Sequence, residues 1–340
     1  MKILAIESSC DETAAAIIED GRKIISNVVA SSAAMHEKTG GIIPEMAARQ
    51  QVVSIIPVIN ETIKNLSLSR DIDALAVTVG PGLIGSLLVG VETAKALALL
   101  TGKKIVPVNH VLAHLYANFL EEDKNYIKPQ FPALGLVVSG GHTELFIMEK
   151  INNLKWIGGT IDDAAGEAFD KCARILGLSF PGGPAIAAEA AKYAKSEIRN
   201  PKSEIKLPRP IIGDDSFNFS FSGLKTAVLR EVNKLKETEQ FNQITIVQLA
   251  YELQEAITDC LVAKTVRAAE KYKVKSILLG GGVAANKRLT EKFKSEFRIH
   301  VPPPSLCTDN ATYIAAFAYY NYHPVDWKKV SAQPSLEVEV

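Results

Sequence analysis

Apolar and polar positions along the chain fall into short runs separated by polar, glycine-containing turns. Residues 3–6, Ile-Leu-Ala-Ile, read as an apolar strand. The polar turn Glu7-Ser-Ser-Cys-Asp-Glu-Thr13 and a run of small apolar residues over 14–18 follow it. The order returns at 133–138, Ala-Leu-Gly-Leu-Val-Val, then Ser139-Gly-Gly-His-Thr-Glu144, then Leu-Phe-Ile-Met over 145–148. Strand, tight polar turn, strand predicts a hairpin. Its recurrence about 130 residues later predicts a duplicated lobe with a cleft between the halves.

Between the hairpins, residues 73–79 read as a buried strand ending in Gly80-Pro-Gly82, residues 83–100 as a helix and residues 104–108 as a strand. Strand–helix–strand in this order predicts a parallel α/β unit. Beyond the second hairpin, 164–176 reads as a helix stopped by Gly177. Pro181-Gly-Gly-Pro184 reads as a loop opening a helix over 185–194, and the proline-punctuated stretch 196–209 as an exposed loop. The segment 217–223, Phe-Asn-Phe-Ser-Phe-Ser-Gly, alternates aromatic and polar residues and predicts a strand with one buried face, a substrate-facing loop being the alternative. A long helix is predicted over 245–271. The strand 276–279 then runs into Gly280-Gly-Gly282 and a helix from about 285, with Asn286 in its first turn. After Pro324 the pattern predicts an irregular, mobile tail.

Composition narrows the class. The 340 residues have room for two lobes, and 47% apolar with 22% charged residues is the make-up of a globular protein. Basic and acidic side chains balance at 38 each, so any nucleic-acid surface is a local patch or is shared with a partner chain. Two basic groups, Lys192, Lys195, Arg199, Lys202, Lys206, Arg209 and Lys264, Arg267, Lys271, Lys273, Lys275, read first as solvated faces and second as nucleic-acid contacts. Cys10, Cys172, Cys260 and Cys307 form no C-x-x-C pair, which argues against structural zinc and against a secreted disulfide framework. Glu7 interrupts the first apolar run too early for a signal peptide, and Glu92 and Lys95 make 83–100 a poor membrane span. A cytoplasmic protein is expected.

His110 and His114 are spaced i, i+4 just after a strand, which on a helix turns both imidazoles to one face where they can share a cation. Two partly exposed histidines are the bland alternative. The stretch H-V-L-A-H lacks the glutamate of H-E-x-x-H proteases. Asp309, in Cys307-Thr-Asp-Asn310, is a third ligand or a helix N-cap; spacing alone favours the cap. A His, His, Asp set suits Fe(II) or Zn(II). Gly140-Gly141 and Gly280-Gly-Gly282 follow strands, where glycine lets backbone approach a phosphate or forms an ordinary tight turn. Asp162, Asp163, Glu167 and Asp170 crowd a helix start and complement its dipole, with Asp170 a candidate for ribose hydroxyls.

These motifs together resemble the bacterial tRNA N(6)-adenosine threonylcarbamoyltransferase family, formerly O-sialoglycoprotein endopeptidases. The resemblance rests on Ile6-Glu-Ser-Ser-Cys-Asp-Glu-Thr13, Gly41-Ile-Ile-Pro-Glu45, Gly80-Pro-Gly82, His110 with His114, and Ser139-Gly-Gly-His-Thr143. It continues through Phe169-Asp-Lys171, Pro181-Gly-Gly-Pro184, Phe219-Ser-Phe-Ser-Gly-Leu-Lys225, Gly280-Gly-Gly-Val-Ala-Ala-Asn286 and Cys307-Thr-Asp-Asn310. It implies a two-lobed actin-like ATPase (ASKHA) fold with a central nucleotide and metal cleft. The implied lobes are 1–128 plus about 312–325, and 129–311, with a tail over 326–340. It further implies a divalent metal, Fe(2+) ahead of Zn(2+), on His110, His114 and Asp309. Val137, Val138, Ser139, Gly140, Gly141, Asp170, Gly183 and Asn286 would contact a threonylcarbamoyl-AMP substrate. Implied partners are tRNA, a paralogous (TsaB-like) subunit, a small (TsaE-like) ATPase and the synthase that supplies the adenylate, with no membrane. The pattern departs at Ala187, where many members carry Asp. Asp11, Glu12 and His142 are the candidates for a general base. A small-molecule kinase or a nucleotide-dependent scaffold of the same fold is the alternative.

Overall fold

Ile3, Leu4, Ala5 and Ile6 are at most 1% exposed because β1 (Lys2–Glu7) is the middle strand of a five-stranded sheet. The computed structural model describes residues 1–121, 126–195 and 205–339. The chain divides into two units, Met1–Phe131 with Met148–Lys155 and Pro302–Val340, and Pro132–Ile147 with Trp156–Val301.

In the first unit β1, β2 (Glu12–Glu19) and β3 (Lys23–Ser31) form an antiparallel meander. β4 (Ala74–Gly80) and β5 (Ile105–Asn109) add parallel strands on the other side of β1, giving the order β3-β2-β1-β4-β5. Helices α1 (Ala33–Thr39), α2 (Pro44–Thr62) and α3 (Ile84–Thr101) connect these strands, and α4 (His110–Ala113) leaves β5 directly into a 3-10 turn over His114–Phe119. The length and composition of α3 are sufficient for a membrane span. It nevertheless buries Leu87, Val91, Ala94 and Ala98 in the core of this unit and pairs Lys95 with Glu92 on its surface.

The second sheet has the same plan. β6 (Ala133–Val138), β7 (Thr143–Lys150) and β8 (Asn153–Gly159) correspond to the first meander, while β9 (Ser276–Gly280) and β10 (Ile299–His300) lie beyond β6 in the order β10-β9-β6-β7-β8. Both expected hairpins are present, and the duplication extends to all five strands of each sheet. Its helices are α5 (Ala165–Ile175), α6 (Gly182–Lys195), α7 (Ser222–Glu237), α8 (Gln243–Lys271) and α9 (Lys287–Glu296). Asn242 starts α8 with a capping box to Thr245. The chain then returns to the first unit through α10 (Pro304–Cys307) and α11 (Thr312–Tyr320).

Several local expectations are corrected. Pro181-Gly-Gly-Pro184 is not a loop ahead of a helix: α6 already begins at Gly182, whose amide donates to Asp170 Oδ1 at 2.6 Å. Residues 217–223 do not form a strand. Phe217, Phe219 and Phe221 are buried, but only a single bridge joins Phe219 to Thr160, and α7 starts at Ser222. Asp162 does not serve the helix it precedes: its carboxylate accepts from Phe221 N, Ser222 N and the hydroxyls of Ser220 and Ser222, capping α7 instead.

Of the basic groups, Arg199 and Lys202 lie outside the described residues, as does most of the loop expected over 196–209. Arg209 pairs with Glu252 and Asp259, and Lys264 is fully buried against Asp214, so neither belongs to a solvated face. The tail is irregular but fastened. Val325 pairs with Ile105, Val330 is 3% exposed in the first core, and Gln333 N donates to Val79 O at 2.6 Å.

Candidate metal centre and nucleotide-binding turns

Asn109 ends β5 and turns the chain into α4, its Oδ1 accepting from Val111 N at 3.0 Å and Leu112 N at 3.3 Å. The helical path that begins there carries His110 and His114 on one face, their ring centroids 4.6 Å apart and their side chains 8% and 1% exposed. Asp309 arrives from the loop between α10 and α11, with Oδ1 3.6 Å from Nε2 of each histidine. One donor atom from each of the three residues lies within 4.8 Å of the others. Ligand atoms around one cation at about 2.0–2.2 Å stand roughly 3–3.5 Å from each other, so the triad is near coordination spacing and wider than a good hydrogen bond. Two imidazoles and a carboxylate fit a divalent Fe or Zn ion with positions left open. Spacing alone favoured Asp309 as a cap, and that is corrected: Asn310 Oδ1 accepts from Thr312 N and its hydroxyl, leaving Asp309 to face the histidines.

A second set of residues, assigned no role from the sequence, orients the first. Glu7 is fully buried and accepts from Ser9 N at 2.6 Å and Thr78 Oγ1 at 2.5 Å, with its Oε2 3.1 Å from His110 Nδ1. Burial opposes ionisation of Glu7, but His110, Ser9 and Thr78 outweigh it and hold the carboxyl below its usual range. Burial likewise works to lower His110, yet the Glu7 and then the Asp309 carboxylates raise it to about 9. Asp309 is pushed up to about 6 by burial, with His110 opposing and Glu7 and Asp11 adding to the rise. Tyr313 packs its ring 4.6 Å from His114 and donates to Asp309 Oδ1 at 3.4 Å. The available signal was a charge, Glu7, at the end of an otherwise apolar central strand, a place where an unpaired carboxylate is costly.

Of the acid–base candidates, Asp11 lies in the β1–β2 turn, Glu12 opens β2 and His142 lies in the β6–β7 turn. Burial raises the Glu12 carboxyl to about 7 against the opposing bond from Ser31 Oγ, with Asp11 and Asp309 adding to the rise. His142 N donates to Ser139 Oγ at 3.2 Å and its carbonyl accepts from Ser139 N at 2.9 Å, which tightens that turn.

In the second unit the turns after β6 and β9 are neighbours, since Val137 pairs with Gly280 in a parallel ladder. Val137 and Val138 are buried in β6, and Ser139 O accepts from Gly166 N at the start of α5 at 3.2 Å. Gly281 has φ +87°, and a Cβ there would stand 2.4 Å from Val138 O, so only glycine lets the two turns come this close. Asn286 is not inside a helix as expected: it follows a 3-10 turn over Gly282–Ala285 and N-caps α9, its Oδ1 accepting from Leu289 N at 3.1 Å. Its Nδ2 donates to Gln254 Oε1 at 3.1 Å, a contact no sequence spacing suggested. Asp170 gives one oxygen to Gly182 N, next to Gly183, and burial raises its carboxyl above the usual range despite that bond and Arg174. Ala187 lies within α6.

Comparison with known proteins gives this geometry a context. The family model described as "tRNA N6-adenosine threonylcarbamoyltransferase" matches residues 23–316. Proteins of that name are 48% identical over 323 residues in Bacillus subtilis (93% of this chain, 89% of the relative) and 46% identical over 342 residues in Syntrophomonas wolfei (98% and 97%). Full-length HypF in its phosphate- and nucleotide-bound form is similar in fold, with a TM-score of 0.59 at 13% identity over 96% of this chain and 47% of that one. Component A of the Acidaminococcus fermentans (R)-2-hydroxyglutaryl-CoA dehydratase is also similar, with a TM-score of 0.52 at 15% identity over 94% and 98%. The fold is the duplicated actin-like (ASKHA) one.

Proposed function

The chain belongs to the tRNA N6-adenosine threonylcarbamoyltransferase family, and from that premise we propose how its residues serve the family's reaction. It is a transferase that modifies tRNA, forming threonylcarbamoyladenosine. The donor is threonylcarbamoyl-AMP and the acceptor is N(6) of the adenosine 3′-adjacent to the anticodon, in tRNAs reading codons that begin with A. The observation that carries the metal part of the reading is the convergence of His110, His114 and Asp309 in a chain of this family.

The chemistry asks for positioning more than for a strong base. The adenine amine is a weak nucleophile because its lone pair is delocalised into the ring, so the carbonyl it attacks must carry a good leaving group. A bond forms from N(6) to the carbamoyl carbon, the bond from that carbon to the phosphate oxygen breaks, AMP departs, and N(6) loses a proton. A divalent ion, Fe(2+) in preference to Zn(2+), when bound supplies positive charge that clamps anionic oxygens and offsets charge on the leaving phosphate. His110, His114 and Asp309 would hold that ion, with Glu7 fixing the His110 tautomer so that Nε2 faces it. Val137, Val138, Ser139, Gly140 and Gly141 offer backbone to the nucleotide, while Asp170, Gly183 and Asn286 complete its contacts. Asp11, Glu12 and His142 are the candidates for taking up the proton that N(6) loses, and no single one of them is assigned as the base.

A paralogous subunit, a small ATPase and an adenylate synthase are the partners this reading calls for, in the cytoplasm where tRNA is modified. The test combines the protein and these partners with threonylcarbamoyl-AMP and unmodified tRNA, followed by mass spectrometry of the nucleosides. Threonylcarbamoyladenosine should form, and His110→Ala/His114→Ala should abolish it. Full product from the double variant would remove the metal from the reaction. No product in any partner combination would return the chain to a kinase or scaffold role.

A further inference from the structure

The last described segment of the chain crosses the C-terminal ends of β4 and β5, the strands that lead into the Gly80–Gly82 turn and the histidine turn. Val325 pairs with Ile105 on the edge strand β5, with reciprocal bonds of 2.8 and 3.1 Å. Val330 then anchors the segment in the core. Beyond it Gln333 N donates to Val79 O at 2.6 Å, Gly82 N donates to Pro334 O at 3.2 Å, and Leu336 N donates to Gln333 O at 3.1 Å. Gly80 has no side chain to obstruct this path: a Cβ there would stand 1.9 Å from Gln333 O.

Asn109 connects the strap to the metal ligands. Its Oδ1 caps the turn that begins at His110, and its Nδ2 donates to Glu337 O at 3.0 Å. One amide thus fixes where α4 starts and is itself fixed from the other side. A second route runs through the Gly80–Gly82 turn: Leu83 N donates to Ser9 O at 2.8 Å, and Ser9 Oγ lies 3.3 Å from His110 Nδ1. Capping alone does not require the Nδ2 contact, since serine caps a helix about as well as asparagine. The strap contact therefore adds a constraint on the direction of the His110 side chain that the local sequence does not supply.

We infer that Asn109 is a positioning residue for His110, held in register by the carbonyl of Glu337, so that residues 333–337 belong functionally to the metal centre. This inference rests on the metal reading above. Its test uses the full chain and Co(2+) as the probe, following the visible absorption of the bound ion and its affinity by competition with a chromophoric chelator. Asn109→Ser keeps a capping oxygen and loses the amide donor. Gln333→Pro removes the strap's N–H to Val79 at an exposed position that is not itself a ligand. Each variant is expected to bind Co(2+) about tenfold more weakly with an altered absorption spectrum, in the range seen when outer-shell partners of metal ligands are removed. The double variant should lose less than the sum of the two singles, because the strap acts on His110 partly through Asn109 itself. Unchanged affinity and spectrum in both folded variants overturn the inference, as does a fully additive loss. Failure of the wild-type protein itself to bind any divalent ion overturns the metal reading instead, and the two failures are told apart by that control.

Discussion

Glu7 Oε2 lies 3.1 Å from His110 Nδ1 while His110 Nε2 faces Asp309. The carboxylate of a central strand thereby selects which imidazole nitrogen is free for a cation. Glu7→Gln keeps the volume and the bonds to Ser9 and Thr78 in reach, but removes the charge that holds a proton on Nδ1. The variant should bind Zn(2+) or Fe(2+) roughly 10–100-fold more weakly, measured by chelator competition. Wild-type affinity in a folded variant would show that Glu7 serves the fold alone.

Metal binding should depend on pH with a definite sign. Without metal, His110 is held up to about 9 by Glu7 and Asp309, which overcome the effect of burial, so at neutral pH it carries a proton the ion must displace. Affinity therefore rises with pH and falls by about tenfold for each unit below the raised value. Below about 6, where Asp309 also takes up a proton, the fall steepens. Isothermal titration between pH 6 and 9 in buffers of different ionisation enthalpy would report both the slope and the released proton, and a flat profile would contradict the arrangement.

Much of this was legible because it is local. The hairpins announce themselves by runs of small apolar residues flanking polar turns, and the histidine pair by its i, i+4 spacing. What was not legible depends on partners far away in sequence. The spacing around Asp309 suggests a cap until Asn310 is seen to take that place. Phe217, Phe219 and Phe221 alternate as a strand would, yet they lead into a helix because Asp162 provides the cap from a distant loop. The α2 helix was obscured for a different reason: Val52, Val53 and Ile56 are exposed and Pro57 sits inside it, so its apolar period blurs. Glu7 reads as an interruption of a strand and becomes intelligible only when His110 is beside it.

Removing the distant cap should have a modest, measurable cost. Asp162→Ala leaves the amides of Phe221 and Ser222 and two hydroxyls without their acceptor. A loss of about 1 kcal/mol is expected, read as a lower urea midpoint with an unchanged slope. Asp162→Asn should recover most of it, and equal stability of the alanine variant would show that water replaces the cap.

Gly281→Ala tests the proposed nucleotide turns separately from the proposed metal centre. The added Cβ would press on Val138 O from a backbone conformation that alanine resists, displacing the turn that begins at Ser139. Affinity for the adenylate donor should drop while Co(2+) binding stays as in the wild type. Unchanged donor affinity would argue that the backbone of 138–141 does not touch the nucleotide.

Acid should loosen the second unit at the α8–α9 contact before the bulk of its core. Burial alone would raise the Glu255 carboxyl, but the bonds from Arg288 and Lys292 outweigh it and leave it below its ordinary value of 4.5. A carboxylate whose folded pKa is depressed contributes stability that is complete above the unfolded value and is lost as pH falls through the folded one. The stabilisation is therefore fully present at pH 7, begins to decline near 4.5 and disappears at lower pH. Asn286 caps the same helix that Arg288 and Lys292 tie down, so the loss should reach the donor contact proposed for Asn286. Hydrogen exchange of α9 followed from pH 6 to 3 should show protection falling there ahead of β6 and β9 in the wild type. In Glu255→Gln that protection should already be reduced at pH 6. If α9 and the strands lose protection together, and the glutamine variant matches the wild type at pH 6, the ion pairs do not set the acid sensitivity of this helix.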